Sequence, residues 1–160
     1  MIRIVVALLC CLACTSALSR DIYLTRHYEK APSKEDPPLT DEGYARAAML
    51  AEVLNQLNLA HIYSTATQRT QLTVKPLAET LGVPVEGYDP SKLPAFAKKI
   101  KAMTGDIFVS GHSNTTPALI KLLGGPDVSI GENDYGTLFK LTIKENTTEL
   151  TMVDIPPLEE

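Results

Sequence analysis

Three short apolar runs, DIYLT from Asp21, AHIYS from Ala60 and DIFVSG from Asp106, each end on an abrupt cluster of polar residues. Helix-like segments stand between them, and this alternation commits the chain to an α/β architecture with a mainly parallel sheet. LTDEGYARAAMLAEVLNQLN opens with Thr40 as an N-cap and carries Asp41 and Glu42 in its first turn. Its apolar residues keep helical spacing through Leu57. TQRTQLTVKPLAETLG predicts a second helix that closes at Gly82, with a kink expected at Pro76. PSKLPAFAKKIKAMTG predicts a third and NTTPALIKLLGG a fourth. APSKEDPP reads as an irregular loop. GTLFKLTIKENTTELTMVDI alternates apolar and polar residues around KENTTE, so an antiparallel hairpin is expected at one edge of the sheet. The predicted fold is a three-layer α/β sandwich in a single domain, the size that 160 residues can support.

The first nineteen residues stand apart. MIRIVVALLCCLACTSALS has a basic start at Arg3, an apolar stretch from Ile4 to about Cys14 and small residues behind it, the layout of a secretory leader. Cleavage after Ser19 or after Ala17 fits, which gives a leader over 1–19, a folded domain over 20–160, and a periplasmic or secreted location. Lipid attachment at Cys14 is the weaker alternative, because Cys11 and Leu12 suit the preceding positions badly. All three cysteines (Cys10, Cys11, Cys14) lie in this leader, so the processed chain has no thiol for a disulfide, a nucleophile or a metal. Loss of the leader removes Arg3 and no acid, moving the net charge from −4 to −5. An acidic chain without a basic run is a poor binder of nucleic acid, and no interior stretch is long and apolar enough to span a membrane.

In open α/β sheets, ligands bind beyond the carboxyl ends of the strands. Arg26-His27 follow the first run, STATQRT with Arg69 follows the second, and SGHSNTT with His112 follows the third. Two arginines and two histidines at one sheet edge suit a dianion, since guanidinium groups match phosphate oxygens in pairs. The helix that starts near Asn114 adds its free N–H groups. A neutral imidazole can attack phosphorus in line while the cations stabilise the equatorial oxygens. His61 begins a strand without a partner motif and reads as structural. Zinc held by His27, His61 and His112 is disfavoured, because the arginines repel a dication and no acidic ligand accompanies them.

LTRHYEK, LTDEGYARA, YSTATQRTQLTVKPLAETLG, VSGHSNTTPALIKLLGG and YGTLFKLTI, in this order, resemble the histidine phosphatase superfamily, the phosphoglycerate mutase-like fold. The resemblance runs from about Ile22 to Val153 and is nearest to small members with an RHxEK-type motif. It implies that His27 is the nucleophile and becomes a phosphohistidine, that Arg26 and Arg69 hold the phosphoryl group, and that His112 hydrogen-bonds it. It implies a phosphatase acting on a phosphomonoester or phosphohistidine, with a small-molecule or protein-borne phosphate as substrate and no cofactor or metal. A phosphate-binding protein without turnover and a phosphoglycerate mutase-type phosphotransferase are the alternatives. Where the family commonly has glycine, Tyr28 is expected at the pocket mouth. Lys30, Glu29 and Asn114 are expected to bind substrate. No counterpart of the mutases' acidic segment is found, which leaves Glu29, Glu132 and Asp134 as candidates for the general acid.

Overall fold

The computed structural model describes residues 19–32, 35–145 and 147–159. The expected leader over 1–19 therefore lies almost wholly outside the described residues. The apolar runs become strands β1 (Arg20–Arg26) and β2 (Leu59–Ser64), followed after a third strand by β4 (Asp106–Gly111). That third strand, β3 (Val85–Gly87), is only three residues long and carries no clear periodicity, so it escapes the sequence reading. The expected hairpin forms as β5 (Thr137–Ile143) and β6 (Thr148–Asp154). The sheet order is β3-β2-β4-β1-β5-β6, with β1 to β4 mutually parallel and β5 and β6 antiparallel at one edge.

Side-chain alternation divides the core between the two faces of this sheet. Tyr23, Ile62 and Phe108 point to one face, under helices α1 (Asp41–Leu54) and α2 (Gln68–Leu81). Ile22, Leu24, Ile107 and Val109 point to the other, under α3 (Leu93–Ala102) and α4 (Thr115–Leu122). Central strands buried on both faces must be apolar at every position, which is why these runs read as continuous rather than alternating.

Thr40 caps α1 as expected, its hydroxyl accepting from Gly43 N at 3.2 Å. The helix stops at Leu54 rather than Leu57, and Leu57 N instead closes a turn onto Leu54 O. In α2, Pro76 lies within the helix, and Gly82 ends it with φ +67°. The segment from Pro90 enters α3 through a 3-10 turn over Pro90–Lys92. No described helix is long and apolar enough to cross a membrane.

Parallel register aligns the strand ends: Arg26 pairs with Gly111, and both Thr25 and Ser64 pair with Ser110. The residues that leave these strands are thereby brought to one rim.

Candidate active site

At that rim β1 makes its last bond to β4, His27 N donating to Gly111 O at 2.9 Å. This sets His27 beside His112, the next residue of the β4 exit, and the two rings meet edge to face with centroids 5.6 Å apart. Arg69, in the first turn of α2, and Arg26 both act electrostatically on these two rings. The four residues predicted from the strand ends are thus brought together.

The His27 tautomer follows from its partner. Its Nδ1 stands 2.8 Å from the Tyr28 carbonyl oxygen, which can only accept, so Nδ1 carries the proton. The neutral ring then bears its lone pair on Nε2. Burial pushes the His27 imidazole down to about 3, against the opposing bond to Tyr28 and with the charges of Arg26, Arg69 and His112 acting in the same direction as burial. His112 is pushed down to about 4 by burial, then by Arg69 and Arg26. Both rings are therefore neutral near pH 7 in the free site.

The arginines have donors to spare. Arg26 Nη1 donates to the carbonyls of Gly131 at 2.7 Å and Asp134 at 3.3 Å, while the Tyr135 ring lies 4.3 Å from the guanidinium carbon. Arg69 pairs with Asp36 at 3.7 Å, and Asp36 also accepts from Gln68 N at 2.9 Å. The Nε of each arginine is buried and has no hydrogen-bond partner among the described residues. Two orphaned N–H donors accompany two neutral imidazoles, and a buried donor without an acceptor is costly. A tetrahedral oxyanion supplies acceptors of the right kind.

The geometry corrects one expectation at the site and places the other expected residues. Tyr28 does not stand at a pocket mouth: it is fully buried in the core under α1 and α2, with its N–H donated to Thr73 Oγ1. β1 ends at Arg26, and beyond it the alternation lapses: Tyr28 packs with Tyr23 under α1 and α2 although it has the parity of Ile22 and Leu24 on the other face. Glu29, expected to bind substrate, is held by Arg46, with Nε at 3.0 Å from Oε1 and Nη2 at 2.7 Å. Lys30 is exposed, and its backbone pairs with Leu39 in an isolated bridge. Asn114 is exposed at the start of α4 and makes no capping bond; Thr115 Oγ1 accepts from His112 N instead, at 2.9 Å. Asp134 uses its carboxylate to cap Gly131 N at 2.7 Å, whereas Glu132, 3.8 Å from Arg26, is left largely in solvent.

Three contributors were not anticipated. Thr65, buried at the exit of β2, stands 3.0 Å from His112 Nε2 and joins a hydroxyl chain to Thr70 at 2.8 Å. Tyr135 flanks Arg26, with its ring centroid 6.1 Å from that of His27. Arg46 lies at a core-facing position of α1, between Gly43 and Leu50 on the buried stripe, and a guanidinium on such a stripe was the signal available in the sequence. Among the described residues no cluster of three or more His, Cys, Asp or Glu is arranged to hold a metal ion.

Arg26, His27 and Arg69 all fall inside a segment that matches a known family. Residues 22–89 match the Histidine phosphatase superfamily (branch 1). His112 lies beyond the matched segment. No curated protein matches the chain. Among solved structures the fold is similar to a candidate alpha-ribazole-5'-P phosphatase from Escherichia coli, with a TM-score of 0.71 at 14% identity, covering 88% of this chain and 100% of that one. It is also similar to a candidate phosphohistidine phosphatase SixA from Nakamurella multipartitia, with a TM-score of 0.65 at 20% identity over 88% of this chain and 98% of that one. A mycobacterial glucosyl-3-phosphoglycerate phosphatase gives 0.66 at 14% identity over 89% and 100%. At these identities the likeness is one of fold, a six-stranded mixed sheet between pairs of helices.

Proposed function

We propose that this protein is an exported phosphatase of the histidine phosphatase type, hydrolysing a phosphomonoester or phosphohistidine through a phosphohistidine on His27. The observation that carries the reading is the unprotonated His27 Nε2, fixed through Nδ1 and set among two arginines whose buried Nε donors lack partners. In the forward step Nε2 forms a bond to phosphorus as the bond from phosphorus to the leaving atom breaks, an oxygen in a phosphomonoester or an imidazole nitrogen in a phosphohistidine, and the leaving group takes up a proton. Arg26, Arg69 and His112 hold the three equatorial oxygens, where charge is concentrated. Water then attacks the phosphohistidine, returning Nε2 and inorganic phosphate. The leader-like sequence over 1–19 supports the exported location.

Phosphate release from an aryl phosphate is expected from the native chain and is expected to fall by at least ~10³-fold in His27→Ala, the order seen when a nucleophile is removed. Acid-labile phosphate trapped on the native protein, and absent from that variant, identifies the intermediate. Full activity in His27→Ala overturns the reading. Calorimetric binding of phosphate without turnover supports instead a phosphate-binding protein.

A further inference from the structure

Arg46 reaches toward the site from two sides without touching it. Its guanidinium grips the Glu29 carboxylate through Nε and Nη2, with a further contact from Nη2 to Glu42 at 3.3 Å. On the other side Nη1 donates to Ile155 O at 2.5 Å, and Ile155 N donates to Gly136 O at 2.9 Å, next to Tyr135. A Cβ at Gly136 would come within 2.5 Å of that same Nη1, so only glycine leaves the guanidinium its place. Arg46 and Glu29 are both nearly buried, which makes the pair geometrically demanding: each charge needs the other in a fixed orientation.

Glu29 is also fixed through its backbone, its carbonyl accepting from Thr40 N at 2.9 Å at the start of α1. The peptide between Tyr28 and Glu29 is therefore held at its Glu29 end by α1 and by Arg46. The carbonyl at its other end is the one that accepts from His27 Nδ1 at 2.8 Å.

We propose that Arg46 is a positioning residue for the nucleophile: by clamping Glu29 it holds the Tyr28–Glu29 peptide in the orientation that fixes the tautomer and direction of the His27 ring. This rests on the reading of His27 as the nucleophile. Rotation of the peptide weakens the Nδ1–H bond, allows the proton to move to Nε2, and turns the lone pair away from phosphorus. Anion binding by Arg69 and His112 does not pass through this peptide. The consequence is an effect on the chemical step that exceeds the effect on binding.

The test uses the native protein with Arg46→Met and Glu29→Gln, the second being nearly isosteric and keeping one acceptor for Arg46. For an aryl phosphate, Arg46→Met is expected to lower kcat about 10- to 100-fold with KM within about threefold, the scale of a small misplacement of a reacting group. Glu29→Gln is expected to lower kcat by ~3- to 10-fold. In ¹⁵N spectra the native His27 ring shows the Nδ1–H tautomer, and both variants show a mixture. Native kcat in the folded variants, a loss confined to KM, or an unchanged ¹⁵N pattern overturns the proposal. If Arg46→Met does not fold, Glu29→Gln gives the same readouts. If the native protein lacks turnover, the nucleophile reading fails, and the ¹⁵N pattern still decides whether Arg46 sets the ring.

Discussion

The imidazoles of His27 and His112 meet edge to face, 5.6 Å between centroids, with two guanidinium groups acting on both. Such proximity is tolerable because neither ring is charged. Burial lowers both, to about 3 for His27 and about 4 for His112, and the arginines lower them further.

The first prediction follows from these values. In a proton NMR titration of the ligand-free protein both rings are expected to stay neutral at pH 5.5, and a midpoint near 6.5 for either contradicts the geometry. The folded values lie below the unfolded value of about 6.5, so the unfolded chain binds more protons between pH 6.5 and about 3. Stability is therefore expected to fall as pH drops through that window. Thermal denaturation of His112→Asn is expected to show a shallower acid dependence than the native chain.

Thr65 gives the second. Its hydroxyl is 3.0 Å from His112 Nε2, a half-buried contact, and 2.8 Å from Thr70 Oγ1, a buried one. Thr65→Val keeps the shape and deletes the hydrogen bond, and one such bond amounts to about 1 kcal/mol, or ~5-fold in rate. A loss of that order in kcat/KM is expected for Thr65→Val, with recovery in Thr65→Ser. Equal activity in the three proteins would show that His112 is held without Thr65.

The sequence exposes some of this site and hides the rest for physical reasons. Arg26, His27, Arg69 and His112 are legible because they interrupt apolar strands at places where a parallel sheet has to open to solvent. Thr65 stands in the same STATQRT stretch, yet a threonine before a helix looks like a cap, and its bond to His112 spans 47 residues. Tyr135 is a lone aromatic in a turn, and only the fold brings it onto Arg26. Tyr28 is misread from its neighbours: a residue beside a polar pair looks exposed, but past the end of β1 it packs into the core beside Tyr23, on the face opposite to that of Ile22 and Leu24. The core strands and the long helices are readable because their periodicity is strong, whereas the three residues of β3 are too few to carry a period.

Glu132 provides the third prediction. Its carboxylate lies 3.8 Å from Arg26 and reaches from solvent, free of the turn that occupies Asp134. If it delivers the proton to the leaving oxygen, its worth depends on how badly that oxygen needs one. Glu132→Gln is expected to slow hydrolysis of an alkyl phosphate about 10²-fold, the lower range of general-acid contributions, and to leave an aryl phosphate nearly unchanged. Equal losses on both substrates would assign Glu132 a role in holding Arg26 rather than in proton transfer.

Gly43 makes the last prediction one of competing magnitudes. In the first turn of α1, glycine costs up to about 1 kcal/mol relative to alanine, so propensity alone favours Gly43→Ala. A Cβ there, however, would stand 2.5 Å from the Glu29 carbonyl oxygen and 3.1 Å from Leu39 Cβ. Backbone on the far side cannot swing away as a flexible side chain can, so α1 must shift from the Glu29 segment. Overpacking of this kind costs about 1–3 kcal/mol, and at the upper end it outweighs the gain in propensity. The net effect expected for Gly43→Ala is a loss of up to ~2 kcal/mol, a fall in Tm of roughly 4–8 °C for a domain of this size. The same shift moves the peptide that holds His27 Nδ1, so kcat is expected to fall alongside Tm. A variant as stable and as active as the native chain would mean that Glu29 and α1 can separate without disturbing the nucleophile, and the coupling between that helix and His27 would have to be abandoned.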